Sequence, residues 1–452
     1  MRDVVLRAFV CLGVLLGLSA TVWAGGALKT NINGLSFNWE RVVNFSPESG
    51  SLKKGVFDHE ESVRLIEDAL NTWASVPGVN LSVERGSTLP DGGDTHIGNY
   101  SDFYKANPWD CYDGDPNSPC YNPIIFDQDG SIIEDLFGEC SQFRILGFSG
   151  FTDVAGDSGD PSWTELKRGQ AIFNGACIAP AISKPGCPPC TVVLEPEDVR
   201  TLVLHEMGHY LGLGHAQVNP DSYNACREGF GCSNSLSEHI PTMFPFLLSG
   251  ANMLTLHRDD EVSMQRLYGD PARGSCTISG RVTAKDGATE LRGVEVVARN
   301  VNEEDHFTDA IAYVSGEEAP RFTVKDKVQE NCVENCGAFE ITGLKAGETY
   351  QLCHQRILAK FTETRSIPPL DPPFQGVDNN CPEGQTYTCQ CNGDDCTQWN
   401  DVVLVTSNDG LDLQSSFLNE GVARAGGCNL LPPPPTYTWK KISLTFSGFT
   451  TR

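Results

Sequence analysis

Positive charge is what this chain is short of. It sets 33 lysines and arginines against 59 aspartates and glutamates, a formal charge of −26 over 452 residues. So acidic a surface repels phosphate backbones and anionic lipid, which argues against nucleic acid and anionic membranes as partners. Long apolar runs are scarce too. Beyond the first two dozen residues no segment approaches the roughly 20 consecutive apolar residues that a bilayer span requires. No membrane insertion of the mature chain is therefore expected. Hydrophobic residues still make up 40% of the sequence, ample for packed cores, and the length suggests two or three domains.

The one early apolar run has the layout of a secretory signal. Arg2 and Arg7 form a basic start, Phe9 to Leu18 is mostly apolar, and Val22-Trp23-Ala24 places small residues for cleavage after Ala24. Losing Arg2, Asp3 and Arg7 with residues 1–24 leaves the remainder one unit more negative. Cysteine usage agrees with export, because 18 cysteines are many for a reducing compartment. Cys11 lies in the signal. Eight follow between Cys111 and Cys232, an even set, with Cys111–Cys120 and Cys226–Cys232 as short-loop candidates for pairing. Nine more begin at Cys276, so one of these lacks a partner of its own group. Cys187-Pro188-Pro189-Cys190 is a poor zinc ribbon, having no second C-x-x-C at suitable spacing.

The chemistry is concentrated in eleven residues, His205-Glu206-Met207-Gly208-His209-Tyr210-Leu211-Gly212-Leu213-Gly214-His215. His205 and His209 are four apart, on one face of a helix. Gly212 permits the left-handed turn that brings His215 round as a third ligand. Three protein ligands and an open fourth position are the arrangement of a catalytic zinc. Glu206, beside the first ligand, is placed to take a proton from an attacking water. Glu195-Pro196-Glu197-Asp198 is a good start for the helix, and Val199, Leu202 and Val203 give it an apolar stripe.

This motif resembles that of the metzincin clan of zinc endopeptidases. Pro241-Thr242-Met243-Phe244-Pro245 resembles the clan's Met-turn, in which a methionine lies beneath the metal. The segment from Leu256-His257-Arg258-Asp259-Asp260-Glu261 to Leu267-Tyr268-Gly269 is similar to the last helix of the matrixins, the matrix-metalloprotease family, as are Asn38-Trp39 and Ala69-Leu70-Asn71-Thr72-Trp73 near the start. The resemblance covers residues 28–270. It implies an α+β domain whose motif helix floors a cleft, bordered by the strand-like Ile145–Phe151 that would pair with an extended substrate. It also implies calcium in acidic loops, for which Asp127 and Asp129 are the candidates, and an apolar pocket near Phe244, Phe246 and Leu247. Three features depart from the family. Only His59 and His96 lie between the signal and His205, too few for a second structural zinc, so one zinc is expected. Ala216 stands where many matrixins have serine. No P-R-C-G-x-P-D segment is present, which leaves no cysteine switch. His239 and His257 read as surface or loop histidines rather than ligands.

The organisation expected is a signal at 1–24, a protease domain at 25–271, a second domain at 272–425 and a Pro-rich tail at 426–452. Within the first, Leu35–Val43 and Val79–Val83 read as strands and Glu60–Val76 as an amphipathic helix. Pro123–Phe126 and Ala171–Ile178 read as further strands. From Cys276 onward short strands alternate with turns, a β-sandwich pattern that resembles carboxypeptidase-regulatory-like modules. Residues 299–335 and 360–398 read as insertions in it, with Val402–Val405 and Leu411–Phe417 completing the sandwich. The function implied is a secreted zinc endopeptidase acting on proteins or peptides, of unknown oligomeric state. The alternatives are an extracellular binding or adhesion protein carried by the sandwich, with an inactive protease domain, and a metal hydrolase of non-peptide substrates.

Overall fold

The computed structural model describes residues 27–28, 34–104, 121–152, 164–166, 168–226, 232–248, 253–319, 321–324, 327–332, 334–357, 381–382 and 385–406. The signal at 1–24, the Cys111–Cys120 pair, Leu411–Phe417 and the tail at 426–452 lie outside these residues. The described chain is mixed α+β: helices and strands are interspersed up to α-helical residues 258–268, and only strands follow.

The first part is built on a five-stranded sheet of β1 (Val42–Pro47), β2 (Ser82–Arg85), β3 (Pro123–Asp127), β4 (Gly147–Thr152) and β5 (Arg168–Asn174), in the order β2-β1-β3-β5-β4. Its pairings are parallel except for β4, which runs antiparallel to β5 and occupies an edge. The helices are α1 (His59–Ala74), α2 (Tyr100–Tyr104), α3 (Ser131–Phe137), α4 (Pro196–Tyr210), α5 (Pro220–Ala225), α6 (Asn234–Ser237) and α7 (Arg258–Tyr268). The Asp58 carboxylate caps α1 at the Glu61 N–H, and the helix buries the expected stripe of Val63, Ile66, Leu70 and Trp73. That stripe lies against α4, where Trp73 Nε1 donates to the Leu204 carbonyl at 2.8 Å.

The strand expected at Leu35–Val43 is displaced. The ladder begins at Val42, and Asn38 makes only an isolated bridge with Glu165. The apolar alternation of Phe37 and Trp39 has another cause: Trp39 stacks on Tyr210 and donates Nε1 to the Tyr210 carbonyl at 3.0 Å. The Tyr268 hydroxyl caps the next carbonyl, that of Leu211. Two aromatic donors thus satisfy carbonyls that the end of α4 would otherwise leave unpaired.

The all-β part faces two sheets across one core. β6 (Cys276–Thr283), β11 (Ala338–Leu344) and β16 (Gln398–Val405) form one, in the order β11-β6-β16. β7 (Glu295–Asn300), β8 (Ala310–Val314), β12 (Thr349–Gln355) and β13 (Thr386–Thr388) form the other, in the order β13-β12-β7-β8. Ile278, Ile341 and Leu404 from the first meet Val296, Ile311 and Leu352 from the second. β9 (Arg321–Val324) with β10 (Lys327–Cys332), and β14 (Cys391–Asn392) with β15 (Asp395–Cys396), make two small ribbons. Residues 299–335 are therefore no mere insertion, since β8 is a strand of the sandwich. It escapes the half-buried pattern because both its faces are covered: Ile311 and Tyr313 face the sandwich core, while Ala310 and Ala312 pack with Val297 against Val218 of the first part.

Among the described residues disulfides join Cys140 to Cys187, Cys177 to Cys190, Cys226 to Cys232, Cys276 to Cys389, Cys353 to Cys381 and Cys391 to Cys396, and Cys336 is disulfide-bonded as well. The expected Cys226–Cys232 bridge is among them, and the C-x-x-C pair is split between two bonds. This density of cross-links fits an oxidising compartment. Among the described residues no helix is long and apolar enough to cross a membrane.

Gly169 on β5 is the tightest junction between sheet and helix, because a Cβ there would enter the Tyr210 ring. That ring is fixed by its stack on Trp39 and by its hydroxyl, which donates to the Asn44 carbonyl at 2.9 Å. Gly169→Ala should lower unfolding stability by about 1–3 kcal/mol through overpacking. Chemical denaturation measures it, and an unchanged midpoint would contradict this packing.

Candidate metal centre

The last turns of α4 carry His205 and His209. The helix stops at Tyr210, Gly212 takes φ 96°, and the Leu213 N–H folds back to the Gly208 carbonyl at 2.9 Å. The turn delivers His215, whose Nε2 lies 3.1 Å from His205 Nε2 and 3.0 Å from His209 Nε2. A tetrahedral ion with bonds of about 2.0–2.1 Å would hold nitrogen ligands about 3.3 Å apart.

The protons of two of these rings can be placed from their partners. His205 Nδ1 lies 2.8 Å from the Thr242 carbonyl and His209 Nδ1 lies 2.8 Å from the Leu213 carbonyl. A carbonyl only accepts, so each Nδ1 carries the hydrogen and each Nε2 presents a lone pair. Burial pushes the pKa of His205 down to about 4. It pushes His209 to about 3, with the neighbouring His205 adding to the effect. Both rings are therefore neutral, the state a metal ligand requires. Two neutral rings present Nε2 lone pairs and the Nε2 of His215 converges on them, so the donor set fits a zinc ion. No family model matches this chain, and no curated protein matches it.

Met243 packs directly beneath the helix. It is buried, and a Cβ on Gly208 would collide with its sulfur, so the glycine makes the room the methionine fills. Its carbonyl accepts the Ala216 N–H at 2.8 Å, tying this turn to the residue after His215. The turn is held from below by Asp260 on α7. That carboxylate accepts the N–H groups of Thr242 at 2.7 Å, Met243 at 3.1 Å and His257 at 2.9 Å. Asp260 is thus one residue removed from His205, through the Thr242 carbonyl. In the sequence Asp259 and Asp260 stood out only as part of the segment that resembles the last matrixin helix, and nothing in it showed which carboxylate reaches the Met243 turn.

Glu206 is buried beside the histidines, and its Oε2 has no hydrogen-bond partner. Burial raises its pKa to about 8, with hydrogen bonds from the Ser149 side chain and backbone opposing. Ser149 lies on β4, so the edge strand and the motif helix meet at this residue. Ser149 carried no signal in the sequence beyond its strand.

The remaining expectations fare differently. His257 is not a surface histidine. It is buried, caps α7 by accepting the Asp259 N–H, and lies 2.7 Å through Nε2 from the Phe307 carbonyl. His239 is half-buried and stacks on Phe307. Phe244 does not line an open pocket; it is buried 4.8 Å from Tyr223, in a cluster that Phe246 joins, while the half-buried Leu247 packs on the main core. Asp127 is also buried, and its carboxylate accepts the Ile133 N–H at 2.9 Å, while Asp129 accepts that of Ser131 at 3.0 Å. The two shape the turn into α3, and among the described residues no third acidic ligand converges on them. Among those residues the only other metal-capable cluster is Cys276, Cys389 and Cys391, whose sulfurs are all in disulfides.

Two outcomes follow from this geometry. Asp260→Ala strands three buried N–H groups. At about 1–3 kcal/mol for each unmet group, a loss of at least 3 kcal/mol in unfolding stability is expected, and a smaller one would show that the turn has other support. The second concerns pH in chelator-treated protein. The folded pKa of Glu206, about 8, exceeds its ordinary 4.5, so its contribution is full below pH 4.5 and is lost as pH rises towards 8. His205 and His209, shifted down, lose theirs as pH falls below 6.5. Comparing Glu206→Gln with wild type isolates the first effect: the variant's relative stability should rise between pH 5 and 8. A difference that is flat with pH would exclude a raised carboxyl.

Proposed function

We propose that this chain is a secreted zinc-dependent endopeptidase of the metzincin type, matrixin-like, with His205, His209 and His215 as metal ligands and Glu206 as general base. The observation that carries the reading is the convergence of three imidazole Nε2 atoms, two of them in tautomers fixed by carbonyls, beside a buried carboxylate with an unpartnered oxygen. The Met243 turn under Gly208 supports the clan. A zinc ion held by the three histidines would supply Lewis acidity, polarising the scissile carbonyl and lowering the pKa of water towards about 7.

The chain's own residues account for the rest. Glu206 takes the proton of the attacking water and returns it to the leaving amine. Among the described residues β4 pairs only with β5, so its other edge would present N–H and C=O groups to an extended peptide. Ser149, midway along β4, donates to the Glu206 backbone carbonyl, which supports a peptide on this edge running near the base. An extended polypeptide is the substrate class that this reading favours.

The test uses the full chain, metal analysis and a mixed peptide library. One equivalent of zinc is expected, with cleavage abolished by chelator and restored by zinc. Glu206→Ala should retain the metal and lose about 10²–10⁴ in kcat/KM. Stoichiometric zinc without cleavage of any peptide would favour the binding-protein alternative, and two equivalents would contradict a single zinc.

A further inference from the structure

The all-β part is not an appended module, because the segment that follows the third histidine is buried in it. Gln217 and Val218 are fully buried and Asn219 nearly so. Gln217 Nε2 donates to Glu295 Oε2 at 2.6 Å and to the Arg356 carbonyl at 3.2 Å. The same carboxylate oxygen accepts Gln355 Nε2 at 2.6 Å. Asn219 sits at φ 59°, a left-handed conformation, and is clamped from both ends of its amide. Its oxygen accepts Arg299 Nη1 at 2.5 Å, and its nitrogen donates to the carbonyls of His239 at 2.7 Å and Phe307 at 2.8 Å. Between the two, Val218 packs on Val297, Ala310 and Ala312.

Glu295 and Arg299 both belong to β7, four residues apart on the sheet face turned to the first part. Each is buried, and each is bonded to a residue two or four positions beyond His215. Ordinary domain joints are polar and tolerant of rotation. A buried carboxylate and a buried guanidinium cannot be left unpaired at such low cost, so this joint admits one register.

We infer that Glu295 and Arg299 are positioning residues for the metal centre: through Gln217 and Asn219, β7 of the sandwich fixes the segment that presents His215. The inference rests on the zinc reading above. It makes metal affinity a property of the whole described chain rather than of residues 25–271. Partners that orient metal ligands are typically worth about 10–100-fold in metal affinity.

The experiment measures zinc affinity by chelator competition, and the visible spectrum of the cobalt-substituted protein, on the full chain and its variants. Glu295→Met and Arg299→Met should each weaken zinc binding about 10-fold or more and alter the cobalt spectrum, which reports ligand geometry. Glu295→Gln, which keeps a carbonyl oxygen for Gln217, should rescue both readouts to near wild type. Arg258→Met is the control for a generally loosened joint. It removes a bond from α7 to the Gly343 carbonyl of β11 at 2.6 Å, far along the chain from His215, and should lower the melting temperature while leaving zinc affinity and spectrum unchanged. If Glu295→Met does not fold, Gln217→Leu breaks the same bond from the other side and must give the same loss. Wild-type affinity and spectrum in Arg299→Met and in either breaker of the Gln217–Glu295 bond would overturn the inference while leaving the zinc reading intact. An equal loss in Arg258→Met would also overturn it. A wild-type chain that binds neither zinc nor cobalt would overturn both.

Discussion

Three imidazole Nε2 atoms converging on one point, two of them with their lone pairs turned inward, are an arrangement that burial alone does not favour, and a set of hydrogen bonds in the first part of this structure holds it. The rings of His205 and His209 are aimed by carbonyls, those of Thr242 and Leu213. Each carbonyl must itself be fixed. Leu213 is fixed by its own N–H to Gly208, within the turn that Gly212 permits. Thr242 is fixed by Asp260, whose carboxylate gathers three N–H groups from two segments. The result is a short chain of charge-assisted and neutral hydrogen bonds from α7 to the ligand ring, each link shorter than about 3.2 Å and so well formed. On the proposed reading, a metal ion would sit at this focus and be held by the three Nε2 atoms.

Small residues then decide how closely the layers approach. Gly208 lets a methionine sulfur lie against the helix backbone, and Gly169 lets the Tyr210 ring lie against β5. Neither contact would survive a methyl group. The aromatic donors Trp39 and Tyr268 close the end of α4 from segments more than 200 residues apart in sequence, 229 between Trp39 and Tyr268 themselves. The helix end can therefore sit in the core, where unpaired carbonyls would otherwise forbid it.

What the sequence made legible was whatever depends on local spacing. The histidines four apart, the glycine turn and the stripe of α1 are each written in fewer than a dozen consecutive residues, and the structure places them as expected. What it hid depends on partners far along the chain. Phe37 and Trp39 alternate like a strand, yet Phe37 is buried beside Phe151 and Trp39 is an anchor on a helix that begins at Pro196. β8 looked like insertion because Ala310 and Ala312 are small, and they are small because Val218 packs there. His257 read as exposed because a histidine between Leu256 and Arg258 has no local reason to be buried; its reason is the Phe307 carbonyl, 50 residues on. Asp260 was visible only within a segment that resembles a matrixin helix, and its hold on the Met243 turn is a tertiary fact with no periodic signature.

Buried acids are the common thread of these hidden contacts. In a chain of such negative charge, carboxylates belong in water, where they repel one another at a distance and keep the protein soluble. Yet Asp259, Asp260 and Glu295 are almost wholly withdrawn from it, and burial raises the pKa of each. Apolar side chains of similar volume would cost less to bury. What carboxylates supply instead is direction. Asp260 must find the N–H groups of Thr242, Met243 and His257, Asp259 must find that of Ala312, and Glu295 must find Gln217. A hydrophobic joint would tolerate a slide of an ångström with little penalty, whereas these groups lose their partners at that displacement and are left buried and unsatisfied. The proposed metal site would tolerate errors in ligand position of only a few tenths of an ångström, and a joint with one permitted register suits that demand.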